Sequence, residues 1–184
     1  MAIGMVEVEG VAGIIAAADA ACKSAQVELL GWDSIGGFTT VFFSGSVSDV
    51  GAALRSGEEA ARQVAKKVVG AALNQPEPAI RQYVTLPVNK DAPIIPGALG
   101  LLETQGYGLQ LLADDRMVKA AQVEVASVLT VHNRVVCSLI VGEVGAVKEA
   151  LNVGRELASG SAKFLTSAFI PRPVPQLFQA FGRR

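Results

Sequence analysis

Apolar residues alternate with polar ones along short segments, and between these segments they recur at helical spacing. The pattern predicts a strand, an alanine-rich amphipathic helix, two strands joined by a tight turn, a second helix and a last strand. In the first half these elements are Ile3 to Val8, Val11 to Ala25, Val27 to Trp32, Phe38 to Phe43, Ser46 to Lys66, and Lys67 to Leu73. This order predicts an α+β fold: an antiparallel sheet with both helices packed on one face.

The second half of the chain repeats the first. At an offset of 96 residues, Lys23 to Glu28 (KSAQVE) aligns with Lys119 to Glu124 (KAAQVE). Beyond residues 33 to 38 the offset becomes 97, so one residue is inserted in the second copy of the strand–strand turn. The corresponding elements are Leu99 to Thr104, Tyr107 to Ala121, Val123 to Leu129, Val135 to Val141, Val144 to Ala158, and Lys163 to Phe169. A period of this length is that of a duplicated domain, not of a solenoid repeat.

The duplication divides the chain into a first unit (residues 1–80), a linker (residues 81–96) and a second unit (residues 97–184). The linker contains three prolines and has no counterpart in the core of the second copy. Within the first unit, Ser46 and Asp49 form a candidate capping box, and Glu58 and Arg62 form an i,i+4 ion pair. Prolines in NQPEP and IPRPVP end the last strand of each unit.

Composition excludes several classes of function. The chain has a net charge of −1 and only 18% charged residues, so it has no basic surface for nucleic acid or anionic membranes. Its 51% apolar content and mean hydropathy of +0.40 predict an obligate oligomer that covers surplus apolar surface. No apolar segment reaches the roughly 18 residues of a membrane span, and no secretory signal is visible. Two cysteines in no metal-ligand spacing fit a reducing cytoplasm.

The sequence DSIGGFTT (residues 33–40) places two glycines between two predicted strands. An ordinary turn, a phosphate cradle, and a crowded contact between symmetry-related chains are three interpretations. A phosphate cradle is the weakest of these, because no Walker lysine or GxGxxG motif follows.

The first unit contains the motifs IGMVEVEG, DAACKSAQVELLGWDSIGG and VFFSGSVSDVGAAL, and the second contains LGLLETQG, DDRMVKAAQVEV, LIVGEVGAVKEALNVG and FIPRPVPQL. In these motifs and their order, each half resembles a bacterial microcompartment shell-protein domain. Unpermuted order and total length make the chain similar to the trimeric tandem-domain type, the shell protein T group of propanediol-utilisation compartments. The resemblance implies a homotrimer that forms a pseudohexameric tile of a shell in the cytoplasm, contacts other shell proteins at its edges and passes metabolites through a central pore.

The resemblance places the two strand–strand turns around the pore, where crowding accounts for the glycine pair. The expected pore-lining residues are Ser34, Ile35, Gly36, Gly37 and Phe38 from the first unit, and Thr130, Val131, His132, Asn133 and Arg134 from the second. Backbone N–H groups of the glycine turn and the Arg134 side chain would favour polar or anionic metabolites. For His132, a solvated turn residue, a metal ligand and a protonation gate are the alternatives.

Some proteins of the resembled type hold an iron–sulfur cluster through a cysteine in the pore loop. This chain has Gly36 at that position, while Cys22 falls on the first helix and Cys137 on a strand, so we expect no cluster, no other cofactor and no metal.

At the tile edge, the resemblance places Lys23, Lys119 and Arg172, which would contact neighbouring tiles. Solvated surface cations are the alternative. The first-unit counterpart of Arg172 is Gln75.

Two other classes of function are open at this point. A trimeric small-molecule-binding regulator would suit an α+β chain and predicts a stoichiometric ligand. An enzyme is disfavoured, because the one histidine has no serine or aspartate motif around it. Glu7 and Glu103 recur in both units, which indicates a structural role near subunit contacts.

Overall fold

A computed structural model describes residues 1–84, 86–131 and 134–182. Both units have the predicted order of elements. The first contains β1 (Ala2–Glu9), α1 (Ala12–Ser24), β2 (Glu28–Ile35), β3 (Phe38–Gly45), α2 (Val47–Arg62), β4 (Val68–Leu73) and a short helix α3 (Pro78–Arg81). The second contains β5 (Ala98–Gln105), α4 (Tyr107–Ala120), β6 (Val123–Val131), β7 (Val135–Gly142), α5 (Val144–Ala158), β8 (Phe164–Pro171) and α6 (Pro175–Phe181).

Each unit has one antiparallel sheet of four strands, in the order β2-β3-β1-β4 or β6-β7-β5-β8. The central strands β1 and β5 pair with β3 and β7 on one side and with β4 and β8 on the other. The two long helices of each unit pack against each other and against the central strand. This confirms the predicted α+β class with the helices on one sheet face.

The local signals in the first unit are confirmed. The Ser46 side chain accepts a hydrogen bond from the Asp49 N–H (3.1 Å), and Arg62 lies 3.2 Å from Glu58. The helix that Ser46 opens was predicted to reach Lys66, but α2 ends at Arg62. Strand β4 ends at Leu73, before the prolines, as expected, whereas β8 ends on Pro171, the first proline of its segment. The sequence pattern missed that Pro78 and Pro175 each begin a short helix. Proline suits that position because it has no N–H to leave unpaired.

One hydrophobic core cluster spans both units, and a second cluster lies between the sheet and the helices of the second unit. Helix α1 of the first unit lies against the helix-free face of the second unit's sheet, so that Ile15, Leu101, Leu139 and Ile170 belong to a single buried cluster. Trp32 stacks on Phe181 with ring centroids 5.6 Å apart. The Trp32 indole N–H also donates to the carbonyl oxygen of Ala180 (3.0 Å). The interface is heterologous, because a helix of one unit contacts the sheet of the other.

Candidate functional site

The first hairpin tip is a two-residue turn. Ile35 pairs with Phe38, and the intervening Gly36 and Gly37 have φ of +58° and +96°. Positive φ at both central positions is the requirement of the type I′ hairpin turn, whose twist matches that of the strands, and glycine is favoured at both positions for that reason. Turn geometry alone therefore accounts for the glycine pair. Ile35, 80% exposed, projects into solvent beside it.

The second hairpin tip carries the inserted residue. Val131 pairs with Val135, which leaves three residues between the strands. Arg134, the last of them, has φ of +69°, and three-residue hairpins place their last residue in this left-handed region. Arg134 is exposed and Thr130 is exposed, whereas Val131 is buried. His132 and Asn133 lie outside the described residues.

Both tips are anchored to the start of the first helix in their own unit. The Gly10 N–H donates to the Gly37 carbonyl oxygen (3.1 Å), and the Gly106 N–H donates to the Arg134 carbonyl oxygen (2.7 Å). Arg134 thus occupies the structural position of Gly37. Although their turns differ in length, the two tips make the same backbone hydrogen bond to the start of their helices.

The strands that lead to the two tips lie near each other. Trp32 on β2 and Thr130 on β6 line one cleft of about 330 Å³ between the units. The structure therefore places Thr130 near the strand that carries Ser34 and Ile35. Ser34 is half-buried, and Phe38 is 42% exposed.

The expected edge residues lie in two different environments. Lys23 donates hydrogen bonds to Asp19 (2.5 Å) and to the Pro171 carbonyl oxygen of the second unit (2.9 Å). This places it beside Arg172, which is exposed and has φ of +46°. Lys119, the counterpart of Lys23, pairs with Asp115 (2.7 Å), and both side chains are exposed.

The cysteines occupy the predicted elements: Cys22 lies on α1 and Cys137 on β7. Burial raises the pKa of Cys22 to about 12, and Asp19 adds to the effect. Burial also raises the pKa of Cys137 far above its ordinary value, with Glu103 and Asp114 contributing. Both thiols therefore stay protonated near neutral pH, and a thiol is a poor metal ligand and nucleophile compared with a thiolate.

Sequence reasoning identified Glu103 as a structural residue but not its contact. Its carboxylate accepts hydrogen bonds from the backbone N–H groups of Val11 and Ala12, both at 2.8 Å. Helix α1 has no side-chain cap from its own N-cap residue, Val11, so the second unit supplies one. Burial raises the pKa of Glu103, and the two backbone hydrogen bonds oppose that shift. The signal available in the sequence was the recurrence of glutamate in both units.

No group of histidine, cysteine, aspartate or glutamate side chains suited to a metal ion is found within residues 1–84, 86–131 and 134–182. In the same part of the chain, no helix is long and apolar enough to cross a membrane.

Comparison with known proteins agrees with the duplication. The family model described as BMC domain matches twice, at residues 2–77 and 98–173. The carboxysome assembly protein CcmO of Synechocystis sp. is 28% identical over 188 residues, which cover 96% of this chain and 63% of that relative. The chain therefore spans less than two thirds of that relative's length.

A shorter relative matches one unit. The bacterial microcompartment shell protein EutM of Salmonella typhimurium is 33% identical over 84 residues, covering 46% of this chain and 88% of EutM. Among solved structures, a microcompartment protein from Desulfitobacterium hafniense DCB is 27% identical, covers 96% of this chain and 97% of its own, and superposes with a TM-score of 0.44. The two matches to the family model span most of the sequence. The chain therefore belongs to the BMC-domain family of bacterial microcompartment shell proteins and carries the domain twice.

Proposed function

We propose that this chain is a non-enzymatic facet tile of a microcompartment shell in the cytoplasm. Three copies associate head to tail into a ring of six BMC domains, with the hairpin tips around a central pore that passes small metabolites. The outer edges contact other shell proteins. Family membership supports the shell role, and one feature of the structure supports the ring.

That feature is a difference in burial between α1 and α4. Val11, just before α1, and Ile15 on α1 are fully buried in the cluster shared with the second unit, and Ala16 is 9% exposed. Their counterparts in α4, one repeat later, are Tyr107, Leu111 and Leu112, which are 55%, 57% and 64% exposed. The same helix face is therefore covered in one unit and open in the other.

The complementary surface is also open. The helix-free face of the second sheet covers α1 with residues such as Ile170, which is 6% exposed. On the same face of the first sheet, Val69 is 63% exposed and Leu73, the counterpart of Ile170, is 37% exposed. A second copy would place this face on α4 and repeat the contact already present within the chain. A heterologous contact can repeat around a rotation axis until a ring closes. A ring of six similar units contains three chains of two units each.

A second pair of surfaces follows the same rule. Helix α6 of the second unit packs against β2 of the first, and its Leu177 and Ala180 are 1% and 5% exposed. Their counterparts Ile80 and Tyr83, at and beyond the end of α3, are 44% and 74% exposed. In the ring, these two side chains would pack on β6 of the next chain.

In this ring the pore is formed by Ser34, Ile35, Gly36, Gly37, Phe38, Thr130, Val131, His132, Asn133 and Arg134 of each chain. The Arg134 guanidinium gives the opening positive charge, which favours anionic or polar metabolites. Lys23, Lys119 and Arg172 lie at the outer edge. Lys119 is free to contact a neighbouring tile, since its one partner in the described chain is an exposed aspartate on its own helix.

Native mass measurement over a concentration series, together with electron microscopy under crowding, tests the proposal. We expect a mass of three chains and extended sheets. Leu112→Arg places a charge on the open face of α4 and should leave a folded monomer. Val47→Arg is the matched control: Val47 is 53% exposed and its counterpart Val144 is 36% exposed, so neither unit uses this position in the contact.

A wild-type chain that stays monomeric at every concentration, or a Leu112→Arg chain that still forms trimers, would refute the ring. A trimer that never forms sheets but binds a small molecule stoichiometrically would favour the regulator instead.

A further inference from the structure

Two equivalent glutamates have opposite surroundings. Glu103 on β5 is 4% exposed and supplies both acceptor bonds to the first N–H groups of α1. Glu7 occupies the same position on β1, but it is exposed, and its carboxylate accepts one hydrogen bond, from the Thr40 hydroxyl (3.0 Å). The buried Glu103 caps a helix of the other unit, and the exposed Glu7 has a carboxylate that can accept the same hydrogen bonds.

The helix equivalent to α1 lacks the corresponding cap. Helix α4 begins after Gly106, has no side-chain cap hydrogen bond from its N-cap residue and has no acidic residue in its first turn. A Cβ atom placed on Gly10, at the start of α1, would collide with the Glu103 carboxylate. A Cβ atom placed on Gly106 or Gly108 would meet nothing within 4 Å. Space for a carboxylate is therefore open at the start of α4.

We propose that Glu7 of one chain caps helix α4 of a second copy, accepting hydrogen bonds from the backbone N–H groups of Tyr107 and Gly108. These residues are the counterparts of Val11 and Ala12. This inference rests on the head-to-tail ring proposed above and names the polar contact at its interface. The surrounding apolar surfaces favour association but are not directional. The hydrogen bonds at the capped helix end are directional and therefore fix the position at which β1 meets α4.

Burial and charge are consistent with this assignment. The first N–H groups of a helix have no partner within the helix, and the aligned peptide dipoles favour a negative group at that end. In the ring, the contact would remove Glu7 and the first turn of α4 from water. An N–H group at the start of α4 would then have no acceptor in the absence of Glu7. The N–H groups of Val11 and Ala12 would be in the same position if Glu103 were absent.

Glu7→Ala tests the contact. Loss of one cap should weaken each interface about tenfold, which corresponds to about 1.4 kcal/mol. Three such contacts close a ring, so the monomer–trimer equilibrium constant should change about 1,000-fold and the half-dissociation concentration about 30-fold. Glu7→Gln, which keeps an acceptor oxygen but loses the charge, should show a smaller shift. Glu59→Ala is the control, because Glu59 and its counterpart Glu156 on α5 are both exposed, so the contact within the chain buries neither.

Amide hydrogen exchange gives a readout at the atoms concerned. In trimeric wild type, the Tyr107 and Gly108 amides should be protected. At concentrations where Glu7→Ala is still trimeric, they should exchange about tenfold faster. The Val11 and Ala12 amides, capped by Glu103 within the same chain, serve as the internal reference and should not change.

A Glu7→Ala chain with the wild-type dissociation midpoint and unchanged exchange at Tyr107 and Gly108 would overturn this inference and leave the ring intact. A wild-type chain that never trimerises would overturn the ring itself, and with it this contact.

Discussion

The Glu103 contact between the units can be tested by Glu103→Ala. The substitution leaves the Val11 and Ala12 N–H groups without their acceptor inside a dry interface. Each buried N–H group without an acceptor destabilises the folded chain by about 1–3 kcal/mol. This loss is partly offset because the variant no longer buries a carboxylate. We expect a net loss of about 3 kcal/mol in the free energy of unfolding, a large share of the 5–15 kcal/mol typical of a domain.

Trp32 provides the assay. It is the only tryptophan of the chain, is 8% exposed, and stacks on Phe181 across the contact between the units. Its fluorescence therefore reports on the interface, while far-UV circular dichroism reports on both units. Urea titrations should be compared at concentrations where native mass shows the same oligomer for each variant.

Glu9→Ala is the control for Glu103→Ala. Glu9 also lies on a central strand, but its partner Lys67, 3.0 Å away, is exposed and its own side chain is 48% exposed. Such an exposed pair contributes less than about 1 kcal/mol. If Glu103→Ala shifts the Trp32 transition no more than Glu9→Ala does, the cap does not hold the units together and the reasoning fails.

The same residue predicts a pH dependence. Burial raises the pKa of Glu103 in the folded chain, so protonation favours the folded state. Its contribution is complete below the ordinary carboxyl pKa of about 4.3 and is lost as the pH rises through the higher folded-state value. Cys137 and Asp114 face the same region and are present in both proteins compared. Wild type should therefore lose stability relative to Glu103→Gln as the pH rises above about 4.3 and through the raised folded-state pKa, and a pH-independent difference would contradict the assignment.

Three further predictions concern the hairpin tips and the edge. Arg134→Gly should raise stability by about 0.5–1 kcal/mol, or about 1–4 °C in Tm, because Arg134 has positive φ where the first unit has glycine. An unchanged Tm would count against strain at this residue. Gly36→Asn, which tolerates the left-handed region and has open space around its Cβ, should fold normally yet slow metabolite passage in intact shells, whereas unchanged flux would place transport elsewhere. Lys119→Ala should still give trimers by native mass but form smaller sheets in electron micrographs, and normal sheets would remove Lys119 from the edge contact.

The sequence predicted the architecture because hydrophobic periodicity, the glycine turn and the duplication all indicated the same elements. The single inserted residue was assigned to the second hairpin from the change of offset, and Arg134 at the position of Gly37 confirms that assignment. The short helices α3 and α6 were missed, since a proline that ends a strand looks the same in sequence as a proline that begins a helix.

The contact between the units could not be predicted in the same way. Periodicity identifies one buried face per helix, the face on its own sheet, and says nothing of a second partner. Helix α1 is buried on nearly every side, and its alanine-rich sequence gave no sign of which surface would cover it. Val11 and Tyr107 differ in burial, as do Glu103 and Glu7, because a single chain contains one copy of the contact and not its repeat. This difference is visible in the structure and not in the sequence.

The two units also differ in the polarity of the residues beneath their first helices, and this difference affects how firmly α4 is held on its sheet. In the second unit, Gln110 donates to Ser138 (2.8 Å), Ser138 donates to Asp114 (2.6 Å), and Thr104 donates to Gln110 (2.8 Å), all buried. The first-unit counterparts are apolar: Val8, Ile14, Ala18 and Val41.

Directional hydrogen bonds fix a helix on its sheet more closely than apolar contacts do, because a slip would leave buried polar groups unpaired. Helix α1 is positioned by the second unit that covers it, whereas α4 has no such cover within the chain. The polar network of α4 therefore holds Tyr107, Leu111 and Leu112 in place before any partner arrives. A preformed surface lowers the entropic cost of association, which favours assembly of the ring from folded chains.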